Sequence, residues 1–589
     1  MEEEISGTTS SIGRLVLSLL LGAASYLSKQ PGPARLWGNC FASPSCESSA
    51  MQLATDVLFQ AVRALEWVVY AQANRSQNKH VNTFLAGNFA PQVHESTETI
   101  TTFEGTVPEC CYGAYLRNGP NPMHAPPGAY HWFDGTGMIH SIRLMAGKVV
   151  YSNRWLRTDM FKIEERVGAQ VKMNFGDMYG VTGLLLLLLE GLRKLLGPRY
   201  LARNSKSNTA IYVVGDDVCA FHEAEQVLKF NVSPKDGVVS TVSYETFQGG
   251  WQNSVTAHPK FDGKTGEMVL FRYDIEKKPH VEVAFADQRT KQITKRAAVD
   301  TAKPVMMHDF AISGNYVILP VHPIEFKPED LVKSTNLLFT FNDKAPSRYG
   351  LLKRSASLSN NRPENDDIRW FELPAHMSFH VVNAWDEDSK VVLITCIADK
   401  VTFDKTGLVV PEGRKYSDFY EDPATRPHLH KLVFDLEDGN VTSTRLLPKE
   451  YTVDFPVINT RATGYKSRWC YMSSFEVETG VVVRGCIKFD LQRGEVAGEI
   501  NFGQHVYGGE CVFVAESEQL TAANEDKGYI MTYIHDEKTE QSYFVIYDAK
   551  TMDSRPVTKV PISSRVPYGF HGLHVTEKQI QAQPSNHNF

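Results

Sequence analysis

The sequence lacks most of the short signatures that mark common enzyme classes. It has no G-x-S-x-G turn, no P-loop, no H-E-x-x-H helix and no G-x-G-x-x-G opening a helix after a strand. Serine-hydrolase, nucleotide, zinc-protease and dinucleotide chemistries therefore lose their support. Cysteine is sparse: nine in 589 residues, scattered and without a C-x-x-C pair. That excludes a zinc ribbon or a disulfide framework and favours a reducing compartment. Basic residues are not in excess, with 61 Lys and Arg against 68 Asp and Glu and a net charge of −7. Without a basic run interleaved with aromatics, nucleic acid is not an expected partner. Long apolar runs are also missing. The apolar stretch at 15–27 falls short of the roughly 20 residues that span a bilayer. Its leader, Met1-Glu2-Glu3-Glu4, has the wrong sign for a secretory signal, although Gly22-Ala23-Ala24-Ser25 suits one. Residues 1–80 thus read as an N-terminal extension, either targeting or plain.

What is present is a large apolar fraction, 42% of residues, with 22% charged and 11% aromatic. Such a composition excludes global disorder and supplies a core of several ordinary domains or one very large one. From Leu53, the residues Val57, Leu58, Val62, Leu65, Val68 and Val69 recur at helical spacing, with Asp56, Arg63 and Glu66 off the stripe. This predicts an amphipathic helix that docks on the main domain or lies on a membrane. Beyond Gly87 the pattern changes to short β-rich runs punctuated by Gly, Pro, Asn and Asp, such as those at 210–214, 268–273, 391–397 and 543–547. The fold class is all-β, and periodicity alone leaves propeller, paired sandwich and large barrel open. One block differs: Leu184, Leu185, Leu186, Leu187, Leu188 and Leu189 run on towards Arg193 and Lys194. It predicts a helix near 175–200, buried or half-sunk in a membrane interface above its basic turn.

Four of the 19 histidines stand in apolar, strand-like or Pro/Gly-punctuated settings: His258, His308, His380 and His571. They are far apart in sequence, so a shared ion requires separate structural units to converge. Ordinary core or surface histidines are the competing reading. The close pairs do not chelate readily. His376 and His380 sit in a β-like run, where four residues cover about 13 Å, and His571 and His574 point to opposite faces of a strand. His428 and His430 share a face, but Arg426-Pro427 beside them suggests a surface strand end. The run Phe133-Asp-Gly-Thr-Gly-Met138 resembles a turn more than a phosphate cradle.

Ordered motifs from about Gly87 to about Ile580 carry a family resemblance. They are Gly87-Asn-Phe-Ala-Pro91, Arg117-Asn-Gly-Pro-Asn-Pro122, Tyr130-His-Trp-Phe-Asp-Gly-Thr-Gly-Met-Ile-His140, Thr256-Ala-His-Pro-Lys260, Met306-Met-His-Asp-Phe-Ala311, Arg369-Trp-Phe-Glu-Leu-Pro374, Phe379-His-Val-Val-Asn-Ala-Trp385 and Arg565-Val-Pro-Tyr-Gly-Phe-His571. In these the chain resembles the carotenoid cleavage dioxygenases, in the plant-type branch that cuts at 9,10 and 9′,10′. The resemblance implies a seven-bladed β-propeller over residues 81–589 with a helical cap over its top face. It implies Fe(2+) held by His258, His308, His380 and His571, with carboxylates at Glu223, Asp454 and Glu510 behind three of the rings and His258 unpartnered. It further implies aromatic contacts to substrate at Phe133, Phe379 and Phe570, a carotenoid or apocarotenoid substrate, and molecular oxygen as co-substrate. A peripheral membrane surface then has a purpose, with the block Leu184 to Leu189 as the contact, in a cytoplasmic or plastid location. Relatives usually carry Asp at the place of Thr136, and His376 and His574 stand where relatives rarely have histidine, so both read as non-ligands. Stilbene cleavage or retinoid isomerohydrolysis on the same fold, and a non-catalytic carotenoid-binding propeller, are the alternatives.

Overall fold

In the computed structural model the described residues are 44–75, 80–178, 180–197, 200, 204–327, 339–356, 358–359, 362–363, 367–401, 410–411, 422–476 and 482–584. The expectations for the apolar run at 15–27 lie outside them. They fall into two units, one within Met1–Val69 and Leu185–Leu201 and the other within Tyr70–Leu184 and Ala202–Phe589.

The larger unit is built almost wholly of antiparallel meanders, each formed by consecutive strands. Ala210–Val214, Asp217–Phe221, Leu228–Val232 and Val239–Tyr244 pair in chain order, as do Lys260–Phe261, Glu267–Tyr273, Val281–Asp287 and Ile293–Val299. A third sheet joins Ala311–Ile312, Tyr316–Val321, Ser347–Lys353 and Ile368–Leu373, and a fourth joins Val381–Glu387, Lys390–Ile397, His428–Asp435 and Val441–Arg445. A ten-stranded sheet follows, in which the meander Val453–Val457, Trp469–Glu476, Val482–Asp490 and Glu495–Asn501 is bridged through Val506–Gly508 to the meander Val512–Ala515, Gly528–Asp536, Gln541–Asp548 and Thr558–Ile562. The last sheet mixes both ends of the unit: Gly572–Thr576 pairs with Gly113–Arg117, which continues through Met138–Met145 and Lys148–Trp155 to Ser96–Ile100. Local turn chemistry explains the tight connections. Gly215, at φ 62°, takes the left-handed conformation that the hairpin between Val214 and Asp217 needs and that Gly adopts without steric cost.

Long apolar runs in these strands have a simple cause, which is burial on both faces. In Glu267–Tyr273, Met268 and Leu270 pack on Ala210, Val214 and Phe221 of the preceding sheet. Val269 and Phe271 pack on Val317, Leu319 and Leu352 of the next. The same alternation carries on from sheet to sheet, and the run returns on itself where Ala114, Leu116, Ile139 and Val575 meet Ile211, Val218 and Leu228.

Helices are few. The first, α1, is Pro44–Arg75. Its inward residues are Phe59, Val62 and Tyr70, whereas Val57, Leu58, Leu65, Trp67 and Val68 are exposed. The stripe read from the sequence therefore does not mark the buried face. Within the smaller unit, Glu66 pairs with buried Arg193 and Phe59 stacks on Tyr200 at 4.2 Å. Satisfying the ion pair and the ring contact turns the apolar residues outward. A short helix not foreseen, α2, is Asp159–Val167, capped by Thr158 accepting from Phe161 N and closed by Gly168 in the left-handed region. The leucine block lies in α3, Gly180–Leu195. There Leu186 and Leu189 are 2% and 1% exposed, Leu188 is 37% exposed, and Leu184, Leu185 and Leu187 are intermediate. The expectation that all six leucines meet a membrane is thus corrected for Leu186 and Leu189, which a helix packed along one side must bury. The basic turn is also not free, because Arg193 pairs with Glu66 and Glu190. The last helix, α4, is Glu577–Ala582. No helix among the described residues is long and apolar enough to cross a membrane.

Phe310, fully buried, bridges two sheets by meeting Phe271 edge-on at 5.2 Å. Phe310→Ala is expected to cost about 3–5 kcal/mol of stability, read as a lowered denaturation midpoint.

Candidate metal centre

The four histidines sit at or just before the starts of strands in four different sheets. His258 precedes Lys260–Phe261, His308 precedes Ala311–Ile312, His380 abuts Val381–Glu387 and His571 abuts Gly572–Thr576. Such placement brings together side chains that are distant in sequence. The ring nitrogens of His258, His380 and His571 lie within 4.8 Å of one another. His308 Nε2 is 3.0 Å from His258 Nε2 and 3.3 Å from His380 Nε2. Rings of His258 and His571 meet edge to face, with centroids 4.6 Å apart.

Carboxylates fix three of these rings from behind. His380 Nδ1 donates to Asp454 Oδ1 at 2.9 Å, and His571 Nδ1 donates to Glu510 Oε1 at 2.8 Å. His308 Nδ1 donates to Glu223 Oε2. Each carboxylate is anchored in turn: Tyr273 OH donates to Glu223 at 2.6 Å, Phe455 N to Asp454 at 2.8 Å and Gly572 N to Glu510 at 2.7 Å. Among the described residues no carboxylate reaches the His258 ring, whose Nε2 faces His308.

The consequence is electrostatic. A ring that donates from Nδ1 presents a lone pair at Nε2, so His308 and His380 direct lone pairs at each other. Burial, with the nearby His571 adding to it, holds the His258 and His380 imidazoles well below the usual histidine range. A proton is therefore a poor occupant of the space between these rings. His308 differs, because although burial opposes its charge, Glu223 raises it above the ordinary value. Burial likewise pushes Asp454 up to about 7. A metal ion suits the arrangement: two nitrogens at ~2.1 Å from one ion, at right angles, are about 3.0 Å apart. Neutral imidazoles backed by carboxylates form a donor set for a divalent first-row metal.

Aromatic side chains wall the centre. Phe379 lies 5.7 Å from His308, ring to ring, and packs on a cluster of Phe84, Tyr130, Ile324 and Met377. Phe570 meets Trp132 at 4.9 Å and Phe133 at 5.9 Å. Phe455 was not anticipated: it stacks on His380 at 5.1 Å and meets His571 at 5.3 Å. Its φ of 50°, rare for a bulky residue, falls at an irregularity in the pairing of Val453–Val457. Only its position beside Asp454 could have flagged it. The Phe-Asp-Gly-Thr-Gly-Met run is a loop held by Asp134, which accepts from His131 N, Phe175 N and Lys206 Nζ at 2.8–3.0 Å. Thr136 contributes a hydroxyl to Ser205 O at 3.4 Å.

Neighbouring histidines are engaged elsewhere. His376 contacts Tyr349 OH and Pro374 O, both at 2.7 Å, and His574 Nε2 lies 3.1 Å from Cys111 O. His428 begins a strand as expected but is 5% exposed, its Nδ1 donating to Tyr451 O at 2.7 Å. The surface reading of that residue is corrected, since its ring is buried and the Tyr451 carbonyl satisfies it.

The chain belongs to the family described as retinal pigment epithelial membrane protein, RPE65, whose model matches residues 89–576. Within it, the chain is 35% identical over 541 residues to the carotenoid 9,10(9′,10′)-cleavage dioxygenase 1 of Pisum sativum, covering 89% of this chain and 95% of that protein. It is 35% identical over 562 residues to the carotenoid 9,10(9′,10′)-cleavage dioxygenase of Crocus sativus, covering 92% and 96%. In fold it matches the lignostilbene dioxygenase of Pseudomonas brassicacearum, with a TM-score of 0.70 at 21% identity, covering 84% of this chain and 98% of that one. A variant of the Synechocystis apocarotenoid oxygenase matches with a TM-score of 0.67 at 20% identity, covering 82% and 97%.

Glu510→Gln keeps the shape behind His571 but removes the charge. It is expected to weaken divalent metal binding about 10–100-fold by titration of the apo protein, while His574→Ala leaves binding unchanged.

Proposed function

We propose that the protein is an iron(II)-dependent dioxygenase that cleaves a conjugated double bond of a carotenoid or apocarotenoid, at 9,10 and/or 9′,10′, to aldehyde and ketone products. One observation carries the reading: Nε2 atoms from distant segments converge, three of the rings clamped by carboxylates from behind. The relatives named for 9,10(9′,10′) cleavage support the substrate class and bond. In this reading His258, His308, His380 and His571 hold Fe(2+), and the sheets are seven blades of a propeller over 81–589. A helical cap covers the top face, with a helical insertion near 175–200, and residues 1–80 are an extension.

Bound there, iron(II) supplies the redox chemistry by which dioxygen reacts with an otherwise inert double bond. The protein's part is to hold, orient and exclude. Glu223, Asp454 and Glu510 keep Nδ1 of their histidines protonated, so those three Nε2 atoms face the centre, and from behind the rings they would offset the charge of a bound ion. Phe133, Phe379 and Phe570, with Phe455, supply apolar walls that exclude water and admit a polyene. An uncharged polyene offers no group to grip, so regiochemistry follows from how far the chain is threaded before one double bond stands at the centre. One C=C and one O₂ give two carbonyls, with no further reductant.

For the membrane, the support is an apolar surface in the smaller unit: Val57, Leu58, Trp67 and Val68 of α1 and Leu188 and Leu195 of α3 are exposed. Burying that surface in an interface would serve a substrate that partitions into bilayers. Of the plastid and cytoplasmic locations, the chloroplastic names among the relatives support the plastid.

Incubation of iron-loaded protein with a β-carotene-derived apocarotenal should release a C13-type ketone, detected by gas chromatography; a different fragment length would refute the cleavage position. The double variant Leu58→Glu, Trp67→Glu is expected to lose sedimentation with lipid vesicles while keeping cleavage of detergent-dispersed substrate.

A further inference from the structure

A cavity of about 830 Å³ reaches the histidines without touching the aromatic wall. Its buried lining includes His258, His380, His571 and Glu510, and its exposed lining Asp216, Glu516 and Glu518 together with Arg461 and Lys578. Phe133, Phe379 and Phe570 are not among its described lining residues. Its mouth lies on loops, with Asp216 at the hairpin tip after Val214 and Glu516 and Glu518 just after Val512–Ala515, all three exposed.

Chemistry decides what such a passage serves. A polyene gains nothing from a charged mouth, and dioxygen, being neutral, does not respond to carboxylates. A divalent cation does. Asp216, Asp309, Glu510, Glu516 and Glu518 line the cavity against Lys260, Arg461 and Lys578, and Lys260 is already paired with Asp309 at 2.6 Å. Asn383, Asn459 and Thr460 add neutral polar side chains along the wall. Oxygen donors let a hydrated ion shed water in steps, and the passage ends at nitrogen donors that suit first-row metals better. Acidic clefts also raise the arrival rate of cations.

We propose that this cavity is the port through which the divalent ion enters and leaves the histidine centre, with Glu516 and Glu518 steering it. The inference rests on the metal reading above. Its test follows uptake kinetics of Co(II) by the full-length apo protein in stopped flow, through the absorbance of the bound ion. Glu516→Lys with Glu518→Lys is expected to slow uptake about tenfold at low ionic strength. The difference should shrink as salt shortens the screening length towards about 3 Å at 1 M. Stoichiometry and dissociation constant should stay near the parent values, because the substituted side chains lie at the mouth and not at the ligands. Glu495→Lys with Glu499→Lys makes the same charge change outside the cavity and should leave the rate near the parent's. Equal rates in parent and mouth variant, or equal slowing in both variants, would overturn the port. A parent protein that takes up no ion would instead overturn the metal reading.

Discussion

Lone pairs held face to face in a buried space repel unless a cation stands between them, and the centre of this protein is organised around that requirement. Each carboxylate behind a histidine does two things: it chooses the tautomer, and it fixes the ring plane so that Nε2 cannot turn away. Glu223, Asp454 and Glu510 are themselves pinned by Tyr273 OH and by the backbone amides of Phe455 and Gly572. Burial makes the arrangement costly to leave incomplete, since an imidazole of depressed basicity such as His258 or His380 does not escape by taking up a proton.

The scaffold's contribution is registration. A meander that repeats places the start of its first strand near the same spot each time. His258, His308 and His380, at such starts, come to one place without any segment carrying a motif. The same architecture buries both faces of the strands, so the core that stiffens the sheets also fixes the ligand positions. The pairing of Gly572–Thr576 with Gly113–Arg117 ties the segment that carries His571 to the sheet nearest the other end of the unit. Asn118 reinforces the tie: its backbone N–H donates to His571 O at 3.0 Å and its carbonyl accepts from Phe570 N at 2.9 Å.

Two environments therefore meet at one centre. On one side the aromatic rings of Phe379 and Phe455 pack against the histidines. On the other a passage lined by carboxylates and amides opens to water. In the function and port proposed above, that separation would let a hydrophobic substrate and a hydrophilic ion reach the same point without competing for one entrance.

Much of the fold was legible in the chain. The switch to short β-rich runs after Gly87, the helix through the leucine block and the helix after Leu53 all follow from periodicity and composition. So does the turn at Phe133-Asp-Gly-Thr-Gly-Met138. Candidate histidines could be shortlisted from their settings and named as a set through the family motifs. What sequence could not decide was which face of α1 is buried, because Glu66 satisfies an ion pair with Arg193 that no local pattern announces. Nor could it reveal Phe455 against His380, the buried end of His428, or the passage from Glu516 to the histidines. These depend on which segments, remote along the chain, are brought side by side, and that is settled by sheet packing over the whole unit. Local sequence determines the elements and the chemistry each can carry; only tertiary structure decides which of those chemistries meet.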